Sequence, residues 1–274
     1  MQWAAAEYGG TTTLATHPPE LEPLLDAILG GIREATGDNF VGAYVCGSLA
    51  LGAFNPNTSD VDLLIVVERP ISETELASLD ALHKRIPLEG NEFGWPYEVS
   101  YIDRQMLRRF EPGSRHVRAG RVVGFGWQPH RQNWVIERWV VREKGIVLAG
   151  PDPKTLIDPV AEDDIREAAR SEVKIRVADW AHEWNDGVNP AAWIEVQACQ
   201  AFEVITVCRG LLTVEQGGMP SKLESVSWAL EHLPEEWRPL VRWARDHRDD
   251  KTLSRDNVLE VIRFVQWAAA EYGG

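Results

Sequence analysis

The stretch of sequence that decides the fold runs from Gly47 to Val67 and reads GSLALGAFNPNTSDVDLLIVV. Residues 61–67 are aliphatic except for Asp62, which is typical of a strand that is buried on both faces. Asp60 and Asp62 stand at the entrance of this strand. Because strand side chains alternate between faces, two residues that are two positions apart project from the same face. The sequence therefore predicts a rigid strand that presents a pair of carboxylates at its start.

The spacing of the two aspartates predicts a metal site. Two carboxylates one strand step apart repel each other unless a cation lies between them. Mg²⁺ is the natural occupant, since it takes oxygen ligands and shares them with phosphate oxygens. We therefore expect Asp60 and Asp62 to hold Mg²⁺, although a pair of this kind alone also fits a charged strand edge.

Two further features surround the aspartate pair. Gly47 and Ser48 follow a predicted strand, residues 40–46, and glycine lets the backbone approach a ligand closely. If a helix begins there, its N–H groups and the Ser48 hydroxyl would face an anion. Glu98 lies on another predicted strand, residues 97–102, and joins the aspartates at one sheet edge if the two strands are neighbours. Each feature is weak alone, but their combination indicates a functional site.

The rest of the chain predicts an α+β fold, with a mixed-sheet domain followed by an all-helical domain. In the first part, helical spacing predicts helices over 18–37, 72–86 and 134–144, and a short strand over 146–148. Glycines and prolines between Arg104 and Arg131 indicate a loop, and we interpret the arginines clustered between Arg104 and Arg142 as a solvated surface.

A proline-rich stretch, Ala149–Pro159, indicates the linker between the domains, which we place at residues 11–158 and 159–274. The pattern beyond the linker predicts helices over 163–184, 190–216, 221–233, 235–247 and from 257 onward. The nine residues QWAAAEYGG occur twice, at 2–10 and 266–274. The second copy continues a helical pattern, and we interpret the first copy as a loosely attached leader.

Composition narrows the function classes. The 274 residues include 28 basic and 42 acidic side chains, a formal net charge of −14. Such a surface repels a phosphate backbone and attracts cations, so we expect no nucleic-acid partner. The three cysteines have no CxxC spacing and indicate neither a disulfide framework nor a zinc site. No long apolar run or basic leader is seen, so we expect a cytoplasmic protein, without membrane contact and monomeric.

These residues carry a resemblance to a known family. The segment 47–67 resembles the signature of the DNA polymerase β-type nucleotidyltransferase superfamily. Further segments resemble the streptomycin/spectinomycin adenylyltransferases and their relatives, namely residues 134–151, VCRG at 207–210, Ser221–Lys222, WALEHLP at 228–234 and WRP at 237–239. The resemblance extends from about Leu21 to Val265.

The resemblance implies a nucleotidyltransferase domain at 11–158 and a helical domain at 159–274 that completes a cleft for ATP and an acceptor. It also implies roles for individual residues. Gly47, Ser48 and Ser59 would bind the triphosphate, Asp60 and Asp62 would hold Mg²⁺, Glu98 would be the catalytic base, and Arg209 and Lys222 would reach the nucleotide phosphates.

The residues expected to bind the acceptor molecule match the family pattern less closely. In the drug-modifying members an acidic residue about ten positions before the helical-domain arginine helps to bind the antibiotic. Here that position is Cys199, with Phe202 nearby. A stacking tryptophan would correspond to Trp127, with Trp134 as the competing match.

The implied function is transfer of AMP from ATP to a hydroxyl of a small cationic acceptor, an aminoglycoside such as streptomycin or spectinomycin. Two alternatives stay open at this point. One is a nucleotidyltransferase with a metabolite or protein hydroxyl as acceptor. The other is a non-catalytic nucleotide-binding module of the antitoxin type.

Overall fold

The computed structural model describes residues 17–88, 90–121, 124–184 and 191–273. The chain divides into two compact units between Pro159 and Val160. The first unit mixes helices with a sheet, and the described part of the second is helical apart from one isolated bridge. This architecture confirms the predicted α+β class. The first copy of QWAAAEYGG lies outside the described residues.

The first unit is built on a mixed sheet. Its strands are β1 (Phe40–Val45), β2 (Val61–Val67), β3 (Tyr97–Asp103), β4 (Arg115–Gly120), β5 (Gly124–Pro129) and β6 (Ile146–Ala149). Its helices are α1 (Glu22–Thr36), α2 (Gly47–Ala50), α3 (Glu73–Arg85), α4 (Arg104–Arg108), α5 (Asn133–Lys144) and α6 (Pro153–Leu156). Among the described residues the strand order is β5–β4–β3–β2–β1–β6. The β2–β3 pair is parallel, and the other neighbours are antiparallel.

Strand β2 lies in the middle of two hydrophobic layers. Leu63 and Ile65 belong to a core shared with α1 and α3 on one face of the sheet. Leu64 and Val66 belong to a second core, shared with α4, α5 and α6, on the other face. A strand that is buried on both faces reads as an almost continuous aliphatic run. Burial on both faces therefore explains why residues 61–67 show an almost unbroken aliphatic pattern.

A buried histidine ties α3 to the sheet. His83 lies between two tyrosines of β3, with its Nδ1 3.0 Å from the Tyr97 hydroxyl and its Nε2 2.8 Å from the Tyr101 hydroxyl. The Tyr97 hydroxyl donates to the carbonyl of Ile86. It therefore accepts from Nδ1–H of His83, and the Tyr101 hydroxyl donates to Nε2.

The predicted loop over 104–131 is wrong. The segment contains α4, β4 and β5, and these two strands form the far edge of the sheet. On β4, Val117 and Ala119 are buried in the core, whereas Arg115 and Arg118 are charged and Gly120 has no side chain. Charged residues and glycines weaken the alternating apolar pattern by which an edge strand is recognised.

The predicted linker over 149–159 ends where the two units divide, but it contains a short helix that the sequence pattern did not indicate. Four of its residues form α6, and Leu156 and Ile157 are buried against the second face of the sheet. The Tyr44 hydroxyl donates to the carbonyl of Pro151 at 2.7 Å. This proline-rich segment is therefore packed against the first unit rather than joining two bodies freely.

The helices of the second unit are α7 (Glu162–Trp184), α8 (Gln197–Gln216), α9 (Lys222–His232), α10 (Arg238–His247) and α11 (Val258–Tyr272). Helix α8 packs against the other four. It begins later than the predicted 190–216, because residues 192–195 form a 3-10 turn. In the described parts of the chain, no helix has the length and apolar character required to cross a bilayer.

The first unit buries three histidines as neutral rings. Burial lowers the pKa of His83 to about 4, that of His116 to about 3 and that of His130 to about 4. Below pH ~6.5 the unfolded chain binds protons that the folded chain cannot, so stability is present above that pH and is lost as the pH falls. We expect the free energy of unfolding to decrease between pH 7 and 5 by up to about 1.4 kcal/mol per pH unit for each histidine.

Urea unfolding at several pH values measures this loss. His83→Gln, which removes one of these groups, should reduce this loss by up to about 1.4 kcal/mol per pH unit. His232→Gln is the control, since His232 is exposed on α9. An unchanged pH dependence in His83→Gln would contradict the assignment.

Candidate active site

The carboxylates singled out in the sequence meet at one edge of the sheet. Asp62 and Glu98 are the second residues of β2 and β3, and they are direct partners in the parallel register. Asp60 immediately precedes β2. Because β1 runs antiparallel to β2, its carboxyl end, with Cys46 and Gly47, reaches the same edge. We call Asp60, Asp62 and Glu98 the acidic cluster.

The acidic cluster is electrostatically strained. Burial, together with the charges of Asp60 and Glu98, raises the pKa of Asp62 to about 8. Glu137 of α5 adds to this effect, and Arg118 opposes it. The cluster therefore disfavours a third negative charge unless a cation is near.

Two arginines at the end of β4 supply positive charge to the cluster. The Arg118 guanidinium donates to Oε2 of Glu98. The Arg121 guanidinium donates to Oδ2 of Asp60 at 3.2 Å. The sequence interpretation placed both arginines on a solvated surface and missed these pairs. The strand register explains why Arg118 contacts Glu98. Arg118 lies opposite Ser100, whose side chain projects from the same face of the sheet as that of Glu98.

Gly47 packs directly against the acidic cluster. Its φ of +59° lies in the left-handed region, and a Cβ at this position would overlap the Asp62 side chain. The backbone N–H of the preceding Cys46 donates to the Asp62 carbonyl at 2.9 Å. The tight turn after β1 therefore requires glycine, both for its backbone conformation and for its lack of a side chain.

The two serines differ in their surroundings. Ser48 Oγ is buried and has no hydrogen-bond partner among the described residues. A buried hydroxyl of this kind costs free energy until it finds a partner. Ser59 Oγ accepts from the backbone N–H of Asn55 at 3.0 Å and so closes the loop before β2. Ser48 thus has the greater capacity to bind an added oxygen ligand.

The acidic cluster fits a divalent cation that arrives with phosphate ligands. Among the described residues, no three His, Cys, Asp or Glu side chains form a ready-made metal-binding group. Mg²⁺ is usually held by one or two carboxylates and by substrate phosphates rather than by a full protein cage. Asp60 and Asp62 provide such a pair of carboxylates. The pKa of Asp62 is raised by burial first and by its charged neighbours second, and a nearby cation would oppose both effects.

The structure does not bring Trp127 to the acidic cluster. Trp127 pairs with Val117 in the β4–β5 register and packs with it into the core shared with α1 and α3. Asp62 and Glu98 alternate with residues of that core and so face the opposite side of the sheet. The competing Trp134 is buried in the core on the side of the acidic cluster.

The remaining predicted residues belong to the helical unit. Arg209 and Cys199 lie on α8 and are partly buried. Phe202, also on α8, is 48% exposed, and the ammonium of Lys222 at the start of α9 lies 4.7 Å from the centre of its ring. Their roles toward a nucleotide or an acceptor stay predictions.

Substitution of Gly47 tests the packing of the turn. We expect Gly47→Ala to destabilise the protein by roughly 2 kcal/mol more than Gly52→Ala, because the new methyl group overlaps Asp62 in addition to straining the backbone. Gly52 is a matched control, since its φ is +69° and no atom of the residues that the structure describes lies within 4 Å of the site of its missing Cβ. Chemical denaturation measures both, and equal losses would show that the Asp62 contact is unimportant.

Comparisons with known proteins identify the family. The family model described as "Nucleotidyltransferase domain" matches residues 29–114, which include the acidic cluster. The model described as "Aminoglycoside adenylyltransferase, C-terminal domain" matches residues 155–271. Both models therefore match in the order that the sequence resemblance implied.

Whole-chain similarity agrees with these matches. An aminoglycoside (3'') (9) adenylyltransferase of Shigella flexneri is 24% identical over 92% of this chain and 95% of its own. A spectinomycin 9-adenylyltransferase of Staphylococcus aureus is 25% identical over 78% of this chain and 80% of its own.

A solved structure shares the fold. It is the spectinomycin adenyltransferase AAD(9) from Enterococcus faecialis with ATP and spectinomycin, with a TM-score of 0.72 at 17% identity. The match covers 91% of this chain and 99% of that one. Taken together, the two family models, the whole-chain relatives and this shared fold show that the chain is an aminoglycoside adenylyltransferase-like nucleotidyltransferase.

Proposed function

We propose that this chain is an ATP-dependent adenylyltransferase that transfers AMP to a hydroxyl of a small cationic acceptor, an aminoglycoside such as streptomycin or spectinomycin. The observation that carries the proposal is the direct pairing of Asp62 with Glu98 beside Asp60, at an edge bordered by Gly47 and Ser48. The activities named for the similar adenylyltransferases support the same reaction.

In this proposal Asp60 and Asp62 hold Mg²⁺, which would stabilise the negative charge of the triphosphate and of the leaving pyrophosphate. Two carboxylates at this spacing favour such a cation strongly, because each otherwise raises the energy of the other. Ser48 donates its hydroxyl to a phosphate oxygen, which would provide the hydrogen-bond partner that it lacks among the described residues. Ser59 keeps the loop before β2 in place and is a weaker phosphate ligand, since its oxygen already accepts a hydrogen bond.

Glu98 is the proposed general base. It takes the proton from the acceptor hydroxyl while that oxygen forms a bond to the α-phosphorus of ATP. The bond from the α-phosphorus to the bridging oxygen breaks, and pyrophosphate leaves. The place of Glu98 beside Asp62 supports this role, because a cation at the aspartates would hold the attacked phosphate near this carboxylate.

The helical domain, proposed at residues 159–274, contributes Arg209 and Lys222 to the nucleotide phosphates. Cation–π contact with Phe202 restricts the Lys222 ammonium to one region of the surface. These two roles are supported by the resemblance, and a chain of net charge −14 needs such cations to bind a triphosphate.

The acceptor is proposed to be a cation. The strongly acidic chain attracts ammonium groups and repels nucleic acid. Phe202 offers an exposed aromatic surface, whereas Cys199 occupies the position where an acid was expected. This cysteine is the observation behind the second candidate function, transfer of AMP to another acceptor such as a metabolite. ATP is the proposed co-substrate. We also propose that the protein is a monomer and is located in the cytoplasm.

The test is a transfer assay with ATP, Mg²⁺ and streptomycin or spectinomycin, followed by pyrophosphate release and product mass. We expect Glu98→Gln to lower kcat by at least about 100-fold, because the base is lost while the side chain keeps its size. Asp60→Asn should lower it comparably.

Glu68→Gln is the matched control, because this exposed carboxylate follows the opposite end of β2 and pairs with Arg104. Full turnover in Glu98→Gln would overturn the proposed mechanism. Transfer to another hydroxyl compound, with none to either antibiotic, would overturn the antibiotic assignment and leave adenylyl transfer in place.

A further inference from the structure

We propose that Arg118 and Arg121 are nucleotide phosphate ligands that are paired with the acidic cluster until a metal–nucleotide complex displaces them. The inference rests on the proposed function, since it concerns the same nucleotide site. It adds two residues that neither the sequence pattern nor the resemblance assigned.

The first step of the argument is position. Arg118 contacts Glu98 and Arg121 contacts Asp60, so both guanidinium groups lie within one hydrogen bond of the cluster that would bind the nucleotide. Both arginines come from the end of β4, which reaches this edge because β4 pairs with β3. A phosphate bound to a metal at Asp60 would therefore lie within reach of both.

The second step is accessibility. The side chains of Arg118 and Arg121 are 38% and 43% exposed, whereas those of their partners Glu98 and Asp60 are 16% and 27% exposed. The carboxylates are thus the inner members of each pair and the arginines the outer ones. A ligand that approaches from solvent meets the guanidinium groups first, and these can move without uncovering the core.

The third step is charge. Three carboxylates and a triphosphate carry more negative charge than one or two divalent cations neutralise. Two arginines beside the site reduce this excess, and the planar guanidinium matches phosphate oxygens by paired hydrogen bonds. In a chain of net charge −14, such cations have to come from residues close to the site.

The fourth step is competition. Arg121 donates to Oδ2 of Asp60, an atom of the carboxylate that would also ligate the metal. A guanidinium and a divalent cation repel each other, so metal binding at Asp60 favours movement of Arg121 away from this carboxylate. The displaced arginine then finds its new partner in the phosphates that arrive with the metal. A purely structural ion pair would make no such exchange.

Two binding measurements on the whole protein, neither of which needs an acceptor or turnover, test the exchange. Electron paramagnetic resonance of free Mn²⁺ gives the affinity for the metal alone. Calorimetry with α,β-methylene-ATP and Mg²⁺ gives the affinity for a nucleotide that cannot transfer AMP. The variants are Arg118→Gln, Arg121→Gln and Arg121→Lys, and thermal unfolding verifies that each is folded.

We expect Arg121→Gln to change the two affinities in opposite directions. Mn²⁺ alone should bind at least about threefold more tightly, because its competitor is gone, and the nucleotide at least about tenfold more weakly, because a charged hydrogen bond is lost. Arg118→Gln should also weaken nucleotide binding about tenfold. Arg121→Lys, which keeps the charge but not the paired donors, should lie between Arg121→Gln and the unchanged protein.

Arg104→Gln is the matched control. It removes the same charge from the same unit, where Arg104 pairs with Glu68 rather than with the acidic cluster. Both of its affinities should be unchanged.

Nucleotide affinity that is unchanged in Arg118→Gln and Arg121→Gln would overturn the inference while the proposed function stands. Weaker binding of both Mn²⁺ and nucleotide in Arg121→Gln would show a structural role and would also overturn it. Failure of the unchanged protein to bind the nucleotide would overturn the proposed function together with the inference. Opposite shifts without antibiotic transfer would support the inference and overturn the antibiotic assignment alone.

Discussion

Repulsion among like charges at one sheet edge is the constraint on which the rest of the site depends. Asp62 and Glu98 are direct neighbours across the parallel β2–β3 pair, and Asp60 adds a third carboxylate. The fold places these charges in a partly buried position, where water screens them less than at an open surface. Arg118 and Arg121, which pair with Glu98 and Asp60 at this edge, therefore reduce the repulsion among the carboxylates.

The scaffold holds the cluster together against this repulsion. Strand β2 is buried between two hydrophobic layers, so the start of the strand cannot move without disturbing both cores. The turn at Gly47 closes over the Asp62 side chain, and the Cys46 amide binds the Asp62 carbonyl. Packing thus provides the free energy that keeps unfavourable charges close together, a common feature of sites that bind cations and react.

Much of the fold and part of the site were predictable because they depend on local patterns. The aliphatic run at 61–67, the aspartate pair and the Gly47–Ser48 turn are features of adjacent residues. The α+β class, with a mixed sheet followed by helices, was correctly predicted. The hairpin of β4 and the edge strand β5 was missed, since β4 carries an arginine on each face and β5 contains glycines, so neither strand shows clear apolar alternation. The arginines of β4 were consequently interpreted as solvated.

By itself, the sequence determined that two aspartates stand two positions apart at the start of a buried strand, and it predicted which residues carry the chemistry. Only the tertiary structure decided that Glu98 stands beside Asp62 and that Arg118 reaches the acidic cluster. It also decided that Trp127 faces the other side of the sheet. The reason is physical. Periodicity along one strand follows from backbone geometry, whereas the order and register of neighbouring strands follow from long-range packing that leaves no local trace in the sequence.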